Sequence, residues 1–176
     1  VGENFDIVCG IDLNDKDTQS MVKTYIKTHS PVVVVMAPTC TPYGRRAGQN
    51  FLQNFDGWHR SWQQASPHAR FCGEIALLQL KAGRHFLREQ PFPTLMNEEP
   101  PWPEVIAFPG VVRQVVDQCA FGQNIAGQPV KKTTELLASD KILVKHFENR
   151  RCSGDHVHKI LEGSNTDKAK IWTWEF

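Results

Sequence analysis

The least interrupted apolar run in the chain, Pro31-Val32-Val33-Val34-Val35-Met36-Ala37, has no polar alternation. Strands of that kind are buried on both faces of parallel sheets, so residues 32 to 36 predict a central strand with helices on both sides. Upstream, Met21, Val22, Tyr25 and Ile26 recur at helical spacing. Asp15 or Asp17 is placed to cap that helix, which is expected to reach about His29 before Pro31 ends it. Asp6 to Gly10 reads as a short strand ahead of the helix. Residues 6 to 37 therefore predict a β-α-β unit, the building block of parallel α/β sheets.

Beyond Cys40 the period fades. Thr41 to Pro67 mixes Gly, Arg and Trp without a sustained repeat and reads as a long loop. Its Arg and Trp residues suit phosphate contact and base stacking, or equally a half-buried aromatic patch. After Pro67, Phe71, Ile75, Leu78 and Ala82 share one helical face until Gly83. Residues 84 to 91 predict a short strand carrying Glu89. Five prolines between Pro91 and Pro103 make a rigid connection. One helical turn is expected over Glu104 to Phe108, and a strand over Val111 to Gln118. Thr133 to Ala138 reads as the hairpin partner of that strand, and a final helix capped by Asp140 is expected to reach about Asn149.

A chain of 176 residues fits one domain with a core of its own. Its 20 basic and 19 acidic residues nearly cancel, which excludes the global field of a strongly basic nucleic-acid binder and leaves only local contacts. Cysteines at 9, 40, 72, 119 and 152 are odd in number and widely spaced. They point away from a secreted disulfide framework and towards a reducing, intracellular compartment, cytoplasm or nucleus. No stretch has the length of a membrane span, so the protein is expected to be soluble and without a membrane partner. The first residue is Val1, and the chain reads as a fragment or a processed product.

Two groups carry chemistry. Cys40 follows the valine strand in Pro38-Thr39-Cys40-Thr41, and Glu89 stands at the end of the next predicted strand. Parallel neighbours would bring both to one sheet edge, where a thiolate and a carboxylic acid suit attack on an electron-poor ring. The plainer alternatives are a small buried hydrophobe and an exposed strand-end carboxylate. The second group is Cys152, His156 and His158, ligand types that zinc prefers, with Cys119 the candidate for a fourth position. The plainer alternative there is ordinary hydrogen bonding on a C-terminal loop.

The ordered series Gly10-Ile11-Asp12-Leu13, the valine strand, Ala37 to Gly44 and Phe86 to Pro91 resembles a cytosine-5 DNA methyltransferase. Similar enzymes carry Gly-Asp-Ile, a Pro-Pro-Cys-Gln loop followed by an aromatic, here Tyr43, and a Glu-Asn-Val strand. Val116 to Gly122, then Pro129 to Thr133, resembles the later strand and basic turn. More specifically, the chain is similar to divergent methyltransferase-like domains of phages and of retroelement polyproteins in protists such as dinoflagellates. Those share an Asp-Gln-Cys-x-Phe-Gly string and a terminal Cys-x-Gly-x-His-x-His-x-x-Leu-x-Gly, here Cys152 to Gly163. The match covers about residues 6 to 163.

The resemblance implies a Rossmann-like methyltransferase sheet lacking its N-terminal cofactor-binding strand. It makes Cys40 the nucleophile at cytosine C6 and Glu89 the group at N3. Asp12, Leu13 and Pro38 would contact S-adenosylmethionine, and Arg45, Arg46, Lys131 and Lys132 the DNA or RNA. The chain departs from the pattern at Thr39, Thr41 and Gln90-Pro91, and the glycine-rich strand and turn for the cofactor are missing. The alternative function is a non-catalytic module of the same fold, a structural or interaction partner of other protein chains in a larger assembly.

Overall fold

Side-chain caps start the two helices that carry most of the core. Asp15 accepts from the Thr18 amide at the head of α1 (Lys16–His29), and Asn54 accepts from the Gly57 amide at the head of α3 (Phe55–Lys81). The computed structural model describes residues 2–161, 164–173 and 175–176. Val1, the closing Glu162-Gly163 of the Cys/His motif, and Trp174 lie outside the described residues.

The strands are β1 (Val33–Met36), β2 (His85–Pro91), β3 (Val112–Asp117), a two-stranded ribbon of β4 (Asn124–Ile125) and β5 (Gln128–Pro129), and β6 (Thr133–Ala138). The main sheet has the order β1-β2-β6-β3. β1 and β2 are parallel, with Met36 opposite Arg88, and β6 runs antiparallel between β2 and β3. The fold is therefore mixed α/β. Alternation along β6 divides the core: Leu137 joins Phe86, Trp102, Phe71 and Ile75 beneath the helices, while Leu136 and Ala138 meet Val144 and Phe147 on the other face. The second face is covered by the 3-10 turns of Lys141–Phe147, capped by Asp140.

Four expectations need correction. The valine strand is an edge of the sheet, not its centre: it pairs only with β2, and Val32 and Val35 are 71% and 62% exposed. Asp6 to Gly10 is not a strand but a 3-10 turn, Ile7–Cys9, because Asp6 accepts from the Val8 amide and Gly10 closes the turn at φ 77. There is thus no β-α-β unit over 6 to 37; the parallel crossover lies between β1 and β2. The segment 41 to 67 is mostly helical, comprising α2 (Ala47–Gln53) and the first half of α3, with Pro67 inside the helix. Pro67 is exposed. It removes one helical hydrogen bond, while the aromatic contacts Phe55–His59 and Trp58–Trp62 at i, i+4 support the turns before it. Finally, 141 to 147 is 3-10 rather than α.

Helix α3 meets α4 (Trp102–Ala107) and the proline-rich connection without space between them. A Cβ built on Gly73 would stand 2.6 Å from Pro101 Cδ and 2.9 Å from Cγ. Gly73→Ala is therefore expected to cost about 1–3 kcal/mol of stability despite Ala's better helix propensity. The urea midpoint reads this directly; an unchanged or raised midpoint would show that the Pro101 ring gives way freely.

Candidate functional site

The parallel pairing of β1 and β2 stops at Met36 and Arg88, so Glu89 stands one residue past the end of β1 and Cys40 four residues past it. Gln90 Nε2 donates to the Pro38 carbonyl at 2.6 Å, clamping the loop that carries Cys40 to β2. Glu89 is 7% exposed, and Lys132 Nζ lies 3.3 Å from its Oε1. Burial, followed by the Glu89 charge, pushes the Cys40 thiol up; the Lys132 and Lys170 ammonium groups oppose this. Burial likewise raises the Glu89 carboxyl, against the pull of Lys132 and Arg88. Both groups are thus biased towards their protonated forms. Cys40 and Glu89 line neither the cavity walled by Tyr43, Trp58 and Trp62 nor the one beside Gln128 and His158.

The other expected contacts are placed as follows. Asp12 is exposed and accepts from the Asn14 amide at 2.9 Å, a local turn. Leu13 packs against the main core. The Pro38 carbonyl is occupied by Gln90. Arg45, Arg46 and Lys131 are exposed. Lys132 is turned to Glu89 rather than outward.

Residues 119, 152, 156 and 158 converge. The ligand atoms of Cys119, Cys152, His156 and His158 all lie within 4.8 Å of one another. Cys152 Sγ is 3.3 Å from His158 Nε2 and 3.7 Å from His156 Nε2, spacings near those of ligand atoms around one tetrahedral ion. Such a cluster could hold a metal. Asp155 Oδ1 sits 2.7 Å from His156 Nδ1, which leaves Nε2 for the centre of the cluster. Burial and the hydrogen bond with Cys152 push the Cys119 thiol up to about 11. Burial, then the His156 and Lys131 charges, lowers His158, which favours the neutral ring that can donate a lone pair.

Sequence reasoning missed Asp117. Its Oδ2 accepts from the Cys152 amide at 3.0 Å and from Arg151 Nε at 2.9 Å, and its Oδ1 accepts from the Thr133 hydroxyl at 2.6 Å. Burial opposes ionisation, but these donors together hold the carboxyl below its ordinary range. The Asp117-Gln118-Cys119 string was visible, but nothing in it pointed to a partner 35 residues on. Glu99 was also missed. It lies in the proline-rich connection and receives Tyr43 OH, Trp62 Nε1 and Arg70 Nε at 3.3, 2.9 and 2.6 Å.

No protein-family model matches this sequence, and neither the curated proteins nor the solved structures give a match. Among the described residues no helix is long and apolar enough to cross a membrane.

Proposed function

We propose that the chain is a cytosine-C5 methyltransferase-like domain acting on nucleic acid, with Cys40 as nucleophile and Glu89 as acid. The observation that carries this reading is the parallel β1–β2 pair, which gathers Cys40, Glu89 and Lys132 at one end of the sheet. Cys40 sulfur, its proton released to water, bonds to C6 of the ring. The displaced electron pair moves through C5 and C4 to N3, which takes the proton of Glu89, favoured as the acid by its burial, and leaves it as the carboxylate. The resulting enamine is nucleophilic at C5 and picks up a proton there from water; loss of the original C5 hydrogen as a proton to water, return of the N3 proton to Glu89 and departure of the thiolate restore the ring and the acid. Arg45, Arg46 and Lys131 are the exposed cations available to the phosphates.

S-adenosylmethionine is the methyl donor this reading implies. Asp12, Leu13 and Pro38 do not by themselves form a cradle for it, because one is bound in a local turn, one is packed in the core and one is tied to Gln90. No step is therefore assigned through that group. Zinc is the metal proposed for Cys119, Cys152, His156 and His158, as a closed structural site of two thiolates and two imidazoles.

A non-catalytic module in a larger assembly is favoured by one observation, the raised Cys40 thiol. Tritium release separates the two readings without a methyl donor. An oligonucleotide with tritium at cytosine C5, DNA or RNA, is expected to lose label to water, Cys40→Ala to abolish the loss, and Glu89→Gln to slow it by roughly 10²–10⁴-fold. Release no faster than in buffer, or equal release by Cys40→Ala, would leave the non-catalytic module standing.

A further inference from the structure

A cavity of about 300 Å³, lined by neither Cys40 nor Glu89 nor the Cys/His cluster, lies between the loop after β1, helices α2 and α3, and the proline-rich connection. Its walls are Tyr43, Phe51, Trp58 and Trp62, with Glu98 and Glu99 among the lining residues. Phe51 stands edge-on to Trp58 at 5.0 Å, while Trp58 and Trp62 are within 17° of parallel at 6.3 Å. Rings at differing angles thus surround a volume at the small end of ligand sites.

The polar edges of these rings are already used. Trp58 Nε1 donates to the Pro42 carbonyl at 3.1 Å, and Trp62 Nε1 and the Tyr43 hydroxyl both donate to Glu99. Tyr43 is buried and Trp62 is stacked by Trp58 and His59, so the ring surface offered to an occupant comes chiefly from the 44% exposed Phe51 and the half-buried Trp58. Glu99 is 8% exposed and further neutralised by Arg70, which stands 5.6 Å from the Trp62 ring. Glu98 is exposed and has no hydrogen-bond or ion-pair partner among the described residues, so it brings a net negative charge to the rim. Among the described residues no basic side chain lines the cavity.

Electron-rich ring faces with a rim carboxylate attract a weakly hydrated cation and repel an anion. A metal ion would need about six oxygen ligands, whereas the lining offers two carboxylates, one of them already engaged by Tyr43, Trp62 and Arg70. A nucleotide would bring its phosphate against Glu98, and its base would find no hydrogen-bond donor. We propose that this cavity binds an alkylated ammonium head group. The rings contact its methyl surface and Glu98 supplies the counter-charge. Cys40 itself does not line this site, although Pro42 and Tyr43 of its loop do.

Choline and its neutral tert-butyl analogue, the same shape without the charge, make the test when titrated against the full chain with tryptophan fluorescence as readout. Choline is expected to saturate the signal and to bind about tenfold more tightly than the neutral analogue, a difference of ~1.4 kcal/mol. Trp58→Ala is expected to abolish the response. Glu98→Gln, at an exposed position where folding is not at stake, is expected to weaken choline about threefold and leave the neutral analogue unchanged. Equal binding of the two compounds would reduce the site to an apolar hollow and overturn the proposal. So would absence of saturation by choline, or tighter binding by cytidine at the same signal.

Discussion

Zinc is expected to raise the midpoint of thermal unfolding by roughly 8–16 °C, and a chelator to reverse the shift. At a free metal concentration a thousandfold above the dissociation constant, binding to the folded state alone contributes ~4.1 kcal/mol. Each kcal/mol moves the midpoint of a chain this size by roughly 2–4 °C. The cluster earns this expectation by where it sits. Cys119 belongs to the turn that follows β3, whereas Cys152, His156 and His158 belong to a segment with exposed apolar residues, Val157 at 82% and Ile160 at 70%. That segment has little burial to hold it. Its attachments are the Asp117 hydrogen bonds, the bond from the Asp117 amide to the Arg150 carbonyl, and the bond from the Lys159 amide to the Pro129 carbonyl. One ion on four ligands would fix the segment to the sheet end. Cys152→Ser is expected to lose one equivalent of metal by elemental analysis and most of the thermal shift. Affinity is expected to fall as pH is lowered, since each thiol must release its proton and each imidazole must stay neutral. Wild-type protein that carries no metal and shows no shift with added zinc would sink the site.

Glu135→Ala is expected to cost about 3–5 kcal/mol, the usual result of leaving one partner of a buried ion pair alone. Arg88 and Glu135 are both fully buried, with Arg88 Nη2 at 2.6 Å from Glu135 Oε1. Burial pulls the Arg88 guanidinium down to about 10, against the support of Glu135, so it is still charged at neutral pH. The guanidinium stands 4.3 Å from the Trp102 ring, and its Nε and Nη1 have no hydrogen-bond partner. Arg113 and Asn97 also reach Glu135, and Asn97 Oδ1 accepts from Arg88 Nη2 at 2.6 Å, but an amide oxygen supplies no counter-charge once the carboxylate is gone. Replacing both members, Arg88→Met with Glu135→Leu, is expected to recover most of the loss, because the desolvation cost disappears with the pair. Equilibrium urea unfolding reads all three proteins. A single-variant loss under about 1 kcal/mol would mean that water reaches Arg88 once Glu135 is gone.

Local signals were legible wherever a short stretch decides its own conformation. Asp15 and Asp140 act as helix caps, and the end of α3 near Gly83 and the β3–β6 pairing follow from residues close in sequence. The convergence of Cys119 with Cys152, His156 and His158 was legible as well, because ligand chemistry restricts which residue types a metal accepts. Composition misled over 41 to 67: Gly, Trp and Pro67 argue against a helix, yet aromatic contacts one turn apart favour it. The valines of β1 misled for a different reason. An apolar run reports affinity for a sheet but not how many strands flank it, so the edge position was undetermined.

By itself, then, the sequence determined the capped helices, the hairpin pair, the ligand types of the Cys/His cluster and the neighbouring strands that carry Cys40 and Glu89. Only the tertiary structure decided which strand lies at the edge, that Lys132 turns to Glu89, that Asp117 holds the Cys152 segment, and that Tyr43, Trp62 and Arg70 share Glu99. The physical reason is range. Caps, turns and hairpins are settled within a few residues, whereas Glu89, Glu99, Asp117 and Glu135 take partners from chain 16 to 56 residues away, where only the packing of the layers brings them together.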